Sequence, residues 1–178
     1  MNDLFSQDFY RNTGSRISPS RLFIHYLFSH QVRFLRVLRK ANHRMTIFRK
    51  LRLWRYSRKY GLEISPNAKI GRGLYLGHPY NITVNGAARI GDNCNLHKGA
   101  TIGICNTGKL KGAPIIGNCV FVGINSTIVG KVVIGDDVLI AANSFVDFDV
   151  PSHSVVIGSP GTIHHKENAT AGLIIHRV

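Results

Sequence analysis

The chain has 178 residues, 44% of them hydrophobic, which leaves room for one main domain and a small second one. No stretch approaches the roughly twenty apolar residues of a membrane span, and the opening MNDLFSQDFY lacks the basic-then-apolar order of a signal peptide, so a cytoplasmic location is expected. The formal net charge of +14 is uneven: residues 1–60 hold fourteen Arg or Lys against Asp3 and Asp8, and such an excess calls for an acidic partner, whether nucleic acid, an anionic membrane surface or an anionic substrate.

Residues 1–19, with Asn12, Gly14, Ser15 and Pro19, show little periodicity and read as an extended lead. Ser20 is placed to cap a short helix running to about Ser29. From Gln31 to Tyr60, Phe34, Leu38, Ala41, Met45 and Phe48 recur at the spacing of one helical face, and the cations lie mostly elsewhere. The spacing predicts an amphipathic basic helix, broken near Asn42 and ended by Gly61.

Beyond Gly61 an aliphatic residue returns every six positions: Ile64, Ile70, Leu76 and Ile82, then Val84, Ile90, Leu96 and Ile102 after a two-residue slip, then Ile116, Val122, Ile128, Ile134, Ile140 and Val146. Repetition of this kind means a solenoid. If each hexapeptide gives a short strand and a corner, three make one coil, and these fourteen make nearly five. Glycine often follows the aliphatic residue, as at Gly71, Gly77, Gly91 and Gly117, and reads as a permissive residue for a tight corner. Between Ile102 and Ile116 eight extra residues, about 106–113, must leave the coil as a loop, with Lys109 and Lys111 available to an anion. The expected organisation is a basic, mostly helical segment 1–60, a repeat domain 61–150 and a capping segment 151–178, with the helices covering the first open edge of the stack and the capping segment the last. Cys94, Cys105 and Cys119 fit no disulfide framework or zinc spacing and read as small core or near-core residues.

The stretches ISPNAKIGRGLYLGH, ITVNGAARIGDNCNLHKGATIG, IIGNCVFVGINSTIVGKVVIGDDVLIAANSFV and DVPSHSVVIGSPG together resemble the hexapeptide-repeat acyltransferases, within them the serine acetyltransferases and the related bacterial acetyltransferases found with capsule and exopolysaccharide genes. The resemblance implies a mainly β fold, a left-handed parallel β-helix of about five coils with a small α-helical N-terminal segment. It also implies a homotrimer that binds acetyl-CoA in a groove between subunits. By position His78 falls on the catalytic histidine and Glu63 on the carboxylate that orients it. The chemistry agrees: acetyl transfer to a hydroxyl needs a base, and an imidazole titrating near 6.5 serves at neutral pH. His97, one coil on, is the second candidate, for contact with acceptor or thioester. Matching positions give Gly123, Ile124, Ala141 and Ala142 to the pantetheine arm and Lys131 to the phosphates, with Gly123 and Ile124 N–H groups as oxyanion donors. No metal is assigned.

Two departures bear on the acceptor. The serine enzymes carry Asp before the catalytic histidine and an Arg-His-Pro motif closing the loop, whereas this chain has Gly77 and Gly112-Ala113-Pro114. On those grounds a sugar hydroxyl of a polysaccharide precursor is the expected acceptor, with serine O-acetylation the alternative. The reading from a different class is a catalytically silent trimeric scaffold. For the basic segment, trimer packing or an anionic membrane surface ranks above nucleic acid, since no nucleic-acid motif is present.

Overall fold

The computed structural model describes residues 4–178. Aliphatic residues at six-residue intervals alternate with polar ones, and such short segments bury one side each if the chain turns after every strand. The chain does so, forming a parallel solenoid with three faces. One face stacks Glu63–Ile64, Thr83–Val84, Thr101–Gly103, Thr127–Val129 and Phe145–Val146. The second stacks Lys69–Ile70, Arg89–Ile90, Ile115–Ile116 and Val133–Ile134. The third stacks Tyr75–Gly77, Asn95–His97, Phe121–Val122, Val138–Ile140 and Ser154–Ile157, and ends on an antiparallel strand, Thr162–His165. In register, Ile64, Val84, Ile102, Ile128 and Val146 form one internal column, and Leu76, Leu96, Val122, Ile140 and Val156 another. Each is at least nine-tenths buried. Five coils thus share one apolar core.

The register corrects the repeat count at two places. Ile82 is fully buried but belongs to no strand; Val84 is the partner of Ile64, so the slip is a corner widened by two residues and not a change of ladder. At the far end the ladder runs past residue 150, with Val150 bridged to Ile134 and Val156 paired with Ile140.

The glycines are also explained differently. Gly71, Gly91, Gly117 and Gly135 are not among the residues with positive φ; that conformation is held two residues later by Gly73, Asn93, Cys119 and Asp137. What requires glycine is proximity. A Cβ at Gly91 would stand 2.6 Å from the Gly117 carbonyl oxygen, and one at Gly117 2.4 Å from Asp136. Stacked coils touch here through bare backbone.

Four helices precede the solenoid: α1 Leu4–Thr13, α2 Pro19–Phe28, α3 His30–His43 and α4 Ile47–Tyr60. The expected extended lead is thus a helix from Leu4 onward, and Met1–Asp3 lie outside the described residues. Ser18, not Ser20, caps α2 by accepting the Arg21 N–H. The predicted break falls at Arg44–Thr46, where Thr46 caps α4, and Gly61 at φ 64° ends it. Phe34, Leu38 and Ala41 are buried, whereas Met45 and Phe48 beyond the break are exposed.

The helices cover the first coil with polar side chains. Arg39 of α3 donates to Asp8 of α1 at 2.7 and 3.0 Å and to the Ile70 and Gly71 carbonyls at 2.7 and 2.6 Å. Asp8 accepts the Leu74 N–H at 2.8 Å, Asn12 accepts that of Leu76 and donates to the Leu74 carbonyl, and Arg11 donates to the Gly73 carbonyl at 3.0 Å. Apart from the Asp8–Arg39 pair itself, each partner is a backbone group of the first coil, on the side where no earlier coil is stacked.

At the other end, residues 169–178 turn back along the outside of the third face. Asp137 anchors the start by accepting the Ala169 and Thr170 N–H groups. Near the first coils Val178 exchanges two hydrogen bonds with Asn93, each 2.8 Å, and Arg11 donates to the Ile175 carbonyl.

Candidate active site

The widened corner joins the third face to the first and carries His78. Two additional residues let the chain leave the solenoid and return, and His78 and Asn81 take left-handed conformations with φ 47° and 54°. Asn tolerates this region and His does so more than most side chains, but holding one there requires support. Support comes from both sides. The Tyr80 N–H reaches the His78 carbonyl at 2.7 Å, and Asn81 N–H bonds to the Tyr60 carbonyl. His30, at the start of α3, stacks on Tyr60 with centroids 4.3 Å apart, leans on Tyr80, and places Nε2 3.3 Å from the Pro79 carbonyl. The His78 ring itself is exposed.

Corners of successive coils stack beneath it. The Lys98 N–H bonds to the Gly77 carbonyl, Gly99 to Tyr80, Asn125 to Lys98 and Asn143 to Ile124, at 2.8–2.9 Å. One edge of the prism thus carries His78, Ile124 and Ala142 in a column. The expected oxyanion pair is half corrected: the Gly123 N–H is spent on the Ile140 carbonyl at 2.9 Å, as that of Ala141 is on Val156. Among the described residues no acceptor pairs with the N–H groups of Ile124 and Ala142, so these are the free donors of the edge.

His97 comes closest to His78. Gly77 and His97 are register partners on adjacent strands, and the imidazole folds over the glycine: a Cβ at Gly77 would stand 2.4 Å from its Cε1 and Nδ1. The ring packs at 4.4 Å on Phe121 and 6.0 Å from Tyr75, and its Nε2 is buried without a hydrogen-bond partner. Burial, and secondarily the nearby His78, pushes its pKa below the ordinary value, so the ring is neutral at neutral pH.

Other predicted residues are not gathered at this corner. Glu63 lies on the first face, where its carboxylate accepts a hydrogen bond from Ser57 of α4 at 2.8 Å; among the described residues it makes none to His78. Lys131 and the inserted loop occupy a different edge, between the first and second faces. The loop is pinched shut by paired hydrogen bonds between Cys105 and Gly112, and Gly112 packs on the Lys131 side chain. Within one chain the loop and His78 are therefore at separate corners. No motif in the sequence marks His30, because its role as a brace depends on a contact with Pro79 across 49 positions.

A family described as bacterial transferase hexapeptide (six repeats) matches residues 113–147. The serine acetyltransferase of Helicobacter pylori strain 26695 is 43% identical over 101 residues, 56% of this chain and 58% of that protein. That of Staphylococcus epidermidis strain RP62A is 40% identical over 114 residues, 63% of this chain and 53% of that protein. Among solved structures, the serine acetyltransferase of Brucella abortus strain S19 in complex with coenzyme A aligns with a TM-score of 0.75 and 26% identity, over 92% of this chain and 66% of that one. The Neisseria gonorrhoeae enzyme in complex with serine aligns with a TM-score of 0.71 and 28% identity, over 91% of this chain and 66% of that one. The chain spans between half and two thirds of the length of these curated relatives.

These findings overturn the expectation of a sugar acceptor and of a part in polysaccharide biosynthesis, since the relatives and neighbours named are serine acetyltransferases. The structure shows where that expectation went astray. It rested on two departures, Gly77 beside His78 and Gly112-Ala113-Pro114 closing the loop, and at the first of these the His97 ring occupies the place from the next coil.

Proposed function

We propose that this chain is a hexapeptide-repeat acyltransferase of the left-handed β-helix type and that it transfers the acetyl group of acetyl-CoA to the hydroxyl of serine. The observation that carries the reading is the exposed His78, held in a left-handed corner above a column with free N–H groups at Ile124 and Ala142. His78 takes the proton as serine Oγ attacks the thioester carbonyl carbon; the negative charge passes to the carbonyl oxygen, and free backbone N–H groups on this edge stabilise it. The C–S bond then breaks, the imidazolium returns its proton to the departing thiolate, and O-acetylserine and free coenzyme A leave.

His97, neutral and half-buried beside Gly77, contacts the acceptor with a ring nitrogen where the serine enzymes present a carboxylate. Glu63 orients His78 in the reacting complex by swinging its exposed side chain away from Ser57. Gly123, Ile124, Ala141 and Ala142 line the pantetheine arm, Gly123 and Ala141 through their lack of bulk and the other two through their N–H groups. Lys131 and the loop lysines lie an edge away, so they reach the coenzyme phosphates across a subunit boundary. Three copies about a common axis set the loop edge of one beside the histidine edge of the next. The enzyme works in the cytoplasm, where acetyl-CoA is made.

Thiol release from acetyl-CoA, with product identified by mass spectrometry, tests this. Serine-dependent release yielding O-acetylserine is expected, and His78→Ala should lower kcat by about 10²–10⁴-fold. Absence of serine-dependent release, or an unimpaired His78→Ala, overturns the assignment.

A further inference from the structure

We infer that α2, α3 and α4 form a docking surface for an anionic lipid bilayer. The observation is an apolar face that the chain leaves uncovered. Neither α2 nor α4 contains a fully buried residue. On α4, Ile47, Phe48, Leu51 and Trp54 make one stripe, each at least half exposed. On α2, Phe23, Ile24, Leu27 and Phe28 are likewise open, Phe28 to 84%. Exposed apolar side chains in this number mark a contact surface.

Charge identifies the contact. Among residues 4–60 the sole carboxylate is Asp8, buried and paired with Arg39. Every other charged group on these helices is a cation. Between α2, α3 and α4 lies a cleft of about 620 Å³ with Arg33, Arg52, Arg55, Arg58 and Lys59 along its walls. Trp54 and Tyr60 stand in the same walls and carry cation–π contacts from Arg58 and Lys59. Arg33 Nε is buried there without an acceptor. A phosphate headgroup entering the cleft supplies that acceptor and meets the surrounding cations, while the flanking Phe, Ile, Leu and Trp enter the acyl boundary. A second copy of the same face would set cation against cation with no carboxylate between them. A nucleic acid would satisfy the cations and leave the apolar stripe in water.

No helix among the described residues is long and apolar enough to cross a membrane, so the contact is with the bilayer surface. Its cations are separate from acetyl transfer: of the cleft residues only Tyr60 also braces the His78 corner, and none is His78, Ile124 or Ala142.

The test uses the full chain and its single tryptophan, Trp54, as reporter. Flotation with vesicles of phosphatidylcholine plus phosphatidylglycerol is expected, with a blue shift of Trp54 emission, shielding from acrylamide and loss of binding at high salt. Phosphatidylcholine alone should bind weakly. Phe48→Ser with Leu51→Ser should lower vesicle binding by about tenfold or more, and Arg33→Gln should lower it while leaving acetyl transfer in solution unchanged. The inference is overturned if anionic vesicles do not float the protein. It is also overturned if inorganic phosphate or an oligonucleotide shifts Trp54 and vesicles do not, or if the Phe48 and Leu51 variant loses a subunit contact in sedimentation with vesicle binding intact.

Discussion

Gly77 and His97 act as one unit. The glycine is required because the imidazole lies where its side chain would be, 2.4 Å from an added Cβ, and the imidazole stays because Phe121 and Tyr75 hold its other side. Gly77→Ala should therefore cost about 1–3 kcal/mol in urea unfolding, as overpacking does, and much less in a His97→Ala background. Equal costs in the two backgrounds would break the pairing. This contact was nearly legible in the sequence: the two residues are twenty apart, eighteen for one coil and two for the widened corner. What hid it was the convention of reading a site from neighbours along the chain, which made Gly77 look like a loss of chemistry. His78 stood out in the sequence as a candidate, whereas the free N–H groups of Ile124 and Ala142 did not. Which donors remain unspent depends on the hydrogen bonds of the following coil.

At the scale of elements, the helices close the open end of the stack. Asp8 and Arg39 are almost fully buried, and together they take up the Leu74 N–H and the Ile70 and Gly71 carbonyls. Removing one partner leaves a desolvated charge and unpaired backbone, so Asp8→Ala should destabilise by about 3–5 kcal/mol, measured by chemical denaturation. A loss near that of an exposed ion pair, under about 1 kcal/mol, would show the coil edge to be satisfied without the pair. The solenoid was readable because its period is short and unbroken over most of the chain, and the loop because it breaks that period. Helix α1 was not. Its buried side, with Phe5, Asp8, Phe9 and Arg11, mixes apolar and charged residues, so the charged half disguises the stripe.

For the whole molecule, stability should depend on pH in two windows. Burial lowers the pKa of His97 and of His30, the latter against the opposing effect of its Pro79 hydrogen bond. The unfolded chain then binds more protons than the folded one below the ordinary histidine value of about 6.5. Stability is full above that value and falls as pH drops through the depressed ones. Asp137 follows at lower pH: burial raises its pKa, but hydrogen bonds from Thr170, His153 and the Ala169 N–H outweigh this and hold it below the usual carboxylate range. Its contribution is present above about 3.9 and is lost beneath. Melting temperature across this range should decline in both windows, and His97→Phe should flatten the upper one; an unchanged upper window in that variant would refute the assignment.

The returning tail makes an otherwise sequential object circular. A solenoid has contacts between adjacent coils only and can in principle grow as it is synthesised, each turn settling on the last. Here Arg11, in α1, has one of its acceptors in Ile175, 164 positions later. Gly73 and Asn95 of the first two coils supply earlier partners for the same guanidinium, but its set of acceptors is completed only when residue 175 has been made.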